Sequence, residues 1–157
     1  MTRPAVLFVC LGNICRSPLA EAAFRAEAHA AAIDVVTDSA GTGDWHVGQP
    51  PDPRAQAEAL RHGIDISRYR ARQVSPADFT AFTHIFALDH RNLADLRHIE
   101  PAAHDANVSL LLDIIPGLAG ESVADPYYGG SEGFAETWRQ VSEAARVLVT
   151  LLRQGTF

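Results

Sequence analysis

The stretch AVLFVCLGNICRSP, residues 5–18, decides how this chain is read. Its first six residues, Ala5 to Cys10, are apolar without interruption and too few for a helix. That is the pattern of a central parallel strand covered on both faces. Leu11 to Ser17 contains Gly12 and Asn13 and reads as a loop. Pro18 suits the first position of a helix, where its missing N–H is not needed, which puts Ser17 at the N-cap. A strand running through a tight loop into a helix places Cys10 where α/β sheets hold their ligands, at the carboxyl end of a strand.

Outward from this stretch, strands and helices alternate. Leu19, Ala22, Ala23 and Ala26 give the first helix an apolar face as far as about Ala31. Asp34 to Ser39 reads as a second strand, and Ala40 to Pro53 as a loop rich in Gly and Pro. Arg54 to His62 reads as a helix stopped by Gly63. Ser75-Pro76 opens a short helix. His84 to Leu88 is a third strand, Asp89 to His98 a helix, and Val108 to Leu112 a fourth strand before a turn at Pro116-Gly117. Asp125 to Gly130 is a loop. Glu132 to Arg153 is a final amphipathic helix with Phe134, Trp138, Val141, Ala145, Leu148 and Leu152 on one face. The alternation predicts an α/β fold, with one parallel sheet and right-handed crossovers. No repeat, linker or low-complexity segment divides residues 1–157, so one domain is expected.

Bulk properties narrow the function. Apolar residues are 47% and charged residues 20%, which fits a globular chain of 157 residues. A net charge of −6 argues against nucleic acid as a partner, so an anionic substrate must be drawn in by a local site. No apolar run reaches the ~20 residues of a membrane span. Ala5 to Val9 is too short for a signal peptide and lacks a small-residue cleavage site. A cytoplasmic location is expected, with secretion lacking a signal peptide left open. The two cysteines, Cys10 and Cys15, share one loop and suggest chemistry rather than a disulfide framework.

In Cys10-Leu11-Gly12-Asn13-Ile14-Cys15-Arg16-Ser17 each part has a physical use. A loop of this length can wrap a tetrahedral oxyanion and aim its backbone N–H groups inward. The following helix adds the positive end of its dipole. Gly12 permits close backbone approach and Asn13 tolerates a left-handed conformation. Arg16 can grip two phosphate oxygens with a planar fork. The same field favours a thiolate at Cys10, and the Ser17 hydroxyl can donate to it. A lone Cys-x5-Arg pattern is weak, and Cys10 read by itself is equally a small buried hydrophobe. The strand before it, Gly12 within it and Ser17-Pro18 after it favour the phosphate loop. A nucleotide P-loop fits poorly, because no Gly-Lys-Ser/Thr follows.

The chain resembles the low-molecular-weight protein tyrosine phosphatases over nearly its whole length. The resemblance rests on Val9 to Pro18, on Ser39-Ala40-Gly41-Thr42, and on Asp125-Pro126-Tyr127-Tyr128. It implies a four-stranded parallel sheet with helices on both faces and a two-step mechanism with no metal and no cofactor. Cys10 would be the nucleophile, Arg16 the phosphate clamp and Asp125 the general acid. Leu11, Gly12, Asn13, Ile14, Cys15 and Ser17 would surround the phosphate. Trp45 and the Tyr127–Tyr128 pair would wall a slot for a planar aryl phosphate, and both tyrosines can be kinase targets. Asn13 and Ser39 would support the loop. Many members carry a His before an Ala-Arg-Gln segment; here Tyr69 stands there, in Tyr69-Arg70-Ala71-Arg72-Gln73.

Read from the residues, Asp125 is also an ordinary Asp-Pro turn starter, and Trp45 a loop anchor. Asp89 reads as a helix cap rather than a catalytic carboxylate. His46, His62 and His84 lack metal-ligand spacing and read as surface or structural. Cys15 either packs under the loop or forms a protective disulfide with an oxidised Cys10. The partner implied is a tyrosine-phosphorylated protein, with a tyrosine kinase or a host protein as candidates and phosphate as product or inhibitor. A monomer is expected. Two other functions stand beside this one. An arsenate reductase on the same fold would need relay cysteines that do not occur after Cys15. A phosphotyrosine-binding module would need no nucleophile or acid.

Overall fold

A computed structural model describes residues 3–155 and 157. Four strands run parallel: β1 (Ala5–Cys10), β2 (Val36–Gly41), β3 (His84–Ala87) and β4 (Asn107–Leu110). They lie in the order β2-β1-β3-β4. The helices are α1 (Arg16–Ala30), α2 (Pro53–Arg61), α3 (Asp78–Ala81), α4 (His90–Ile99) and α5 (Ser131–Gln154). The chain turns one way from β1 to β2 and the other way to β3, so the switch point lies between β1 and β3 at the end of Cys10.

The continuous apolar run of β1 is explained by its two cores. Val6 and Phe8 face one side, where they join Leu19 and Phe24 of α1 and Phe134, Val141 and Leu148 of α5. Leu7 and Val9 face the other, with Phe79, Ile85, Leu96 and Leu110. Alternation along one strand thus feeds both layers. Phe8 packs edge-on to Phe24, with ring centroids 5.8 Å apart. Full burial of such side chains contributes about 1.5–3 kcal/mol each. Among the described residues no helix is long and apolar enough to cross a membrane.

Most boundaries fall within a residue or two of the sequence reading, and at three of those that moved the cause is visible. Helix α1 begins at Arg16, two residues before the expected Pro18, and Ser17 is not its cap. The hydroxyl of Ser17 is occupied by Asn13 and Cys10 instead, and Pro18 sits within the first turn, where no amide is missed. Strand β2 is displaced to Val36–Gly41 because Ala32 takes a left-handed turn (φ 55°) and pairing starts only at Val36, whose N–H donates to Pro4 O. Strand β4 ends at Leu110, and Leu111–Ile114 form a 3₁₀ turn. The Asp113 carboxylate accepts from Leu110 N at 3.3 Å and Gly120 N at 2.8 Å, competing with further strand pairing.

Candidate active site

Residues 10–17 curl at the end of β1 because their carbonyls are taken up outside the curl. Thr42 N donates to Cys10 O, Gly43 N to Leu11 O and Asp52 N to Ile14 O, each at 2.9 Å. Asn13 takes the left-handed conformation its side chain tolerates, at φ 58°. The closest backbone approach falls at Gly41, where a Cβ would meet Leu11 O at 2.8 Å. At Gly12 the neighbour is the His46 ring, whose Cδ2 would lie 3.0 Å from an added Cβ.

Behind the loop runs a hydrogen-bonded chain. Asn13 Nδ2 donates to Ser17 Oγ at 2.8 Å and Ser39 Oγ at 3.0 Å, and Asn13 Oδ1 accepts from Arg72 N at 3.0 Å. With its oxygen accepting from Asn13, the Ser17 hydroxyl is free to donate to Cys10 Sγ, 3.0 Å away. Ser39 Oγ donates in turn to Glu21 Oε1 at 2.6 Å, and Arg25 Nη2 donates to Glu21 Oε2 at 2.6 Å. Burial pushes the Glu21 carboxyl up, with Ser39 and Arg25 offsetting part of that. Tyr69 does not reach Asn13: its hydroxyl accepts from Arg25 Nη1 and joins the chain from the far end.

In front of the loop is a cavity of about 280 Å³. Cys10, Leu11, Gly12, Ile14, Cys15 and Arg16 line its floor. Trp45, His46, Tyr127 and Tyr128 form its sides, and Asp125 stands at one wall. Of the residues expected around the phosphate, Asn13 and Ser17 lie behind the loop instead. The Arg16 side chain is 3% exposed. Its Nη1 donates to Asp89 Oδ2 at 2.7 Å and Val123 O at 2.9 Å. That leaves Nε and Nη2, the pair a bidentate clamp uses. Nη2 lies 3.6 Å from Asp125 Oδ2. Burial works against the Arg16 charge, but Cys10, Asp89 and Asp125 outweigh it and strengthen its hold on the proton. Burial pushes the Cys15 thiol far up, helped by Asp52 and Cys10. Asp125 Oδ1 accepts from Tyr127 N at 3.0 Å, the Asx turn that the Asp-Pro pair suggested.

Asp89 does two things at once. Its Oδ1 caps α4 through Asn92 N at 2.7 Å, as the sequence suggested, while its Oδ2 aims Arg16. The sequence reading missed that second role, gave His46 only a surface or structural place and Gly41 only a place in a motif, and missed Glu21 and the Asp52-Pro53-Arg54 segment. Asp-Pro at a helix start is a legible cap signal, and Asp52 does accept from Arg54 N at 2.8 Å. Nothing local marks the others. Among the described residues, His, Cys, Asp and Glu side chains form no group of three suited to a metal ion.

Comparison with known proteins gives a consistent result. The family model described as "Low molecular weight phosphotyrosine protein phosphatase" matches residues 5–156. A low molecular weight phosphotyrosine protein phosphatase of Schizosaccharomyces pombe is 45% identical over 139 residues, covering 87% of this chain and 88% of the relative. A low molecular weight protein-tyrosine-phosphatase of Streptomyces coelicolor is 44% identical over 154 residues, covering 95% and 93%. The crystal structure of a protein tyrosine phosphatase from Entamoeba histolytica, with Hepes in its active site, superimposes with a TM-score of 0.91. It is 33% identical, and the match covers 98% of this chain and 99% of that one.

Proposed function

The chain belongs to the low molecular weight phosphotyrosine protein phosphatase family, and from that premise we propose that it hydrolyses phosphotyrosine in proteins through a cysteinyl-phosphate on Cys10, with Asp125 as acid and then base. One observation carries the reading. The buried Arg16 guanidinium keeps Nε and Nη2 for an anion on the floor shared with Cys10, and Asp125 stands 3.6 Å from it.

The steps follow from these positions. Phosphate oxygens are held by Arg16 and the loop N–H groups, which puts phosphorus in front of the Cys10 sulfur. The thiolate attacks, the S–P bond forms, and the P–O bond to the aryl group breaks. Asp125 gives its proton to the leaving oxygen. As a carboxylate it then takes a proton from water, whose oxygen attacks phosphorus. The S–P bond breaks, and the Ser17 hydroxyl supports the departing thiolate. Phosphate is released as product, and would also inhibit by occupying the same loop. Trp45, His46 and Tyr127 line the cavity, which suits a flat aryl ester and leaves a serine phosphate, tethered to a protein by a shorter side chain, short of Cys10.

The test is turnover of phenyl phosphate and of p-nitrophenyl phosphate by three proteins. Cys10→Ser should be inactive on both while still binding phosphate. Asp125→Asn should lose about 10²–10⁴-fold on phenyl phosphate, the usual weight of general acid catalysis, and much less on the nitrophenyl ester. Equal losses on the two esters would remove Asp125 from the acid role.

A further inference from the structure

The acid loop, residues 125–130, makes few hydrogen bonds to other elements. Tyr127 N to Asp125 Oδ1 and Gly129 N to Pro126 O are internal to it. Tyr128 is 93% exposed. Yet proton transfer needs Asp125 held to a fraction of an ångström over the phosphate. Among the described residues, the hydrogen bonds that tie this loop to the rest of the site come from Arg54. Its Nη1 donates to Gly129 O at 3.0 Å and its Nη2 to Tyr127 O at 2.9 Å. Its guanidinium carbon lies 5.6 Å from the Tyr127 ring centroid and 4.7 Å from that of Phe134.

Arg54 is itself held. Nε donates to Asp52 Oδ1 at 3.0 Å and Nη2 to Asp52 Oδ2 at 2.9 Å, a bidentate pair. The Asp52 side chain is only 10% exposed, and its N–H donates to Ile14 O in the phosphate loop at 2.9 Å. An unbroken line therefore runs from the phosphate loop through Asp52 and Arg54 to two carbonyls of the acid loop. Arg54 does not line the cavity, so it is not placed to hold phosphate. A lysine, with one point charge, could not reproduce two carbonyl contacts and a carboxylate fork together.

We infer that Asp52 and Arg54 form a brace that sets the acid loop against the phosphate loop, making Arg54 a positioning residue for proton transfer by Asp125. This rests on the assignment of Asp125 as the acid. Hydrogen bonding from Arg54 also lowers the Asp52 carboxyl, so the brace stays charged on the acid side of neutral.

The experiment compares Arg54→Gln and Arg54→Lys, each alone and with Asp125→Asn, on phenyl phosphate and p-nitrophenyl phosphate. Inhibition by inorganic phosphate and the melting temperature are followed in parallel. Arg54→Gln should lose about 10- to 100-fold in kcat/KM on phenyl phosphate, the scale of a misplaced catalytic group. The loss on the nitrophenyl ester should be several-fold smaller, and phosphate inhibition should be unchanged. Arg54→Lys should recover only part. With Asp125→Asn already present, Arg54→Gln should cost almost nothing further on either ester. Equal losses on both esters, an undiminished loss beside Asp125→Asn, or weakened phosphate inhibition as the main effect would each overturn the brace. If Asp125→Asn alone shows no leaving-group dependence, the acid assignment fails and the brace with it. If Asp125→Asn shows that dependence and Arg54→Gln does not, the brace alone fails. Should Arg54→Gln not fold, Asp52→Asn keeps a capping oxygen while removing the charge, and the same comparison decides.

Discussion

At Cys10 and Cys15 two identical side chains in one loop are both buried but have different neighbours. The Cys10 sulfur faces the cavity floor with the Ser17 hydroxyl 3.0 Å away and Arg16 beside it. Burial, helped by Asp52 and the neighbouring Cys10, pushes the Cys15 thiol up. In the proposed mechanism the attacking sulfur is that of Cys10, which has the Ser17 hydroxyl and Arg16 as neighbours. We expect peroxide to convert Cys10 to a sulfenic acid, and the Cys15 thiol to displace water from it and leave a disulfide. Mass spectrometry should then find the two residues linked, and a thiol reductant should restore most activity. Cys15→Ser should recover little of its own starting rate. Equal recovery, or no intramolecular link, would leave Cys15 as packing alone.

At the scale of elements, the site is assembled from the ends of β1, α1, α2 and α4, and each end does local as well as catalytic work. The N-terminus of α4 shows how closely these are combined. Asp89 Oδ1 caps the helix while Oδ2 aims a buried guanidinium. Asp89→Ala should lose the cap, costing about 0.5–2 kcal/mol, and should also release Arg16. Asp89→Asn keeps a capping oxygen but not the charge. Urea unfolding should rank wild type above Asp89→Asn and Asp89→Ala lowest. Turnover should fall in both variants, because Arg16 no longer presents Nε and Nη2 in a set direction. Wild-type turnover in Asp89→Ala would show that Val123 O alone is enough to aim it.

Over the whole molecule, one buried histidine ties stability to pH at the end of the sheet remote from Cys10. His84 opens the central strand β3, at the end of the sheet opposite to the one where Cys10 closes β1. It is buried, stacked on Phe86 and met edge-on by Phe157 with centroids 4.5 Å apart. Burial lowers its pKa. The folded protein thus binds this proton more weakly than the unfolded chain, whose histidine titrates near ~6.5. The stability from neutral His84 is complete above that value and is lost as pH falls through the depressed folded value. The difference in urea midpoint between wild type and His84→Phe should shift against wild type between about pH 7.5 and 5, across the ordinary histidine range. A constant difference over that range would show that His84 stays neutral or carries no linkage.

Sequence by itself determined what depends on neighbours along the chain. The apolar run of β1, the curl at Gly12 and Asn13, the Cys10–Arg16 spacing and the amphipathic face of α5 are contiguous patterns. Backbone sterics and apolar periodicity act on them directly. Asp89 was legible as a cap for the same reason, because a cap is a bond three residues long. Tertiary structure decided everything that spans distant segments. Whether Asp125 meets Arg16 depends on how the segment before α5 crosses the sheet end. Whether Tyr69 reaches Asn13 depends on Arg25 standing between Tyr69 and Glu21. The Arg54 brace joins residues more than seventy positions apart through two backbone carbonyls, which have no sequence identity to read. The start of α1 shifted for a related reason. Ser17 offered a cap by local preference, but a partner from Asn13 and a sulfur from Cys10 took its hydroxyl, and only the closed loop brings those groups to it.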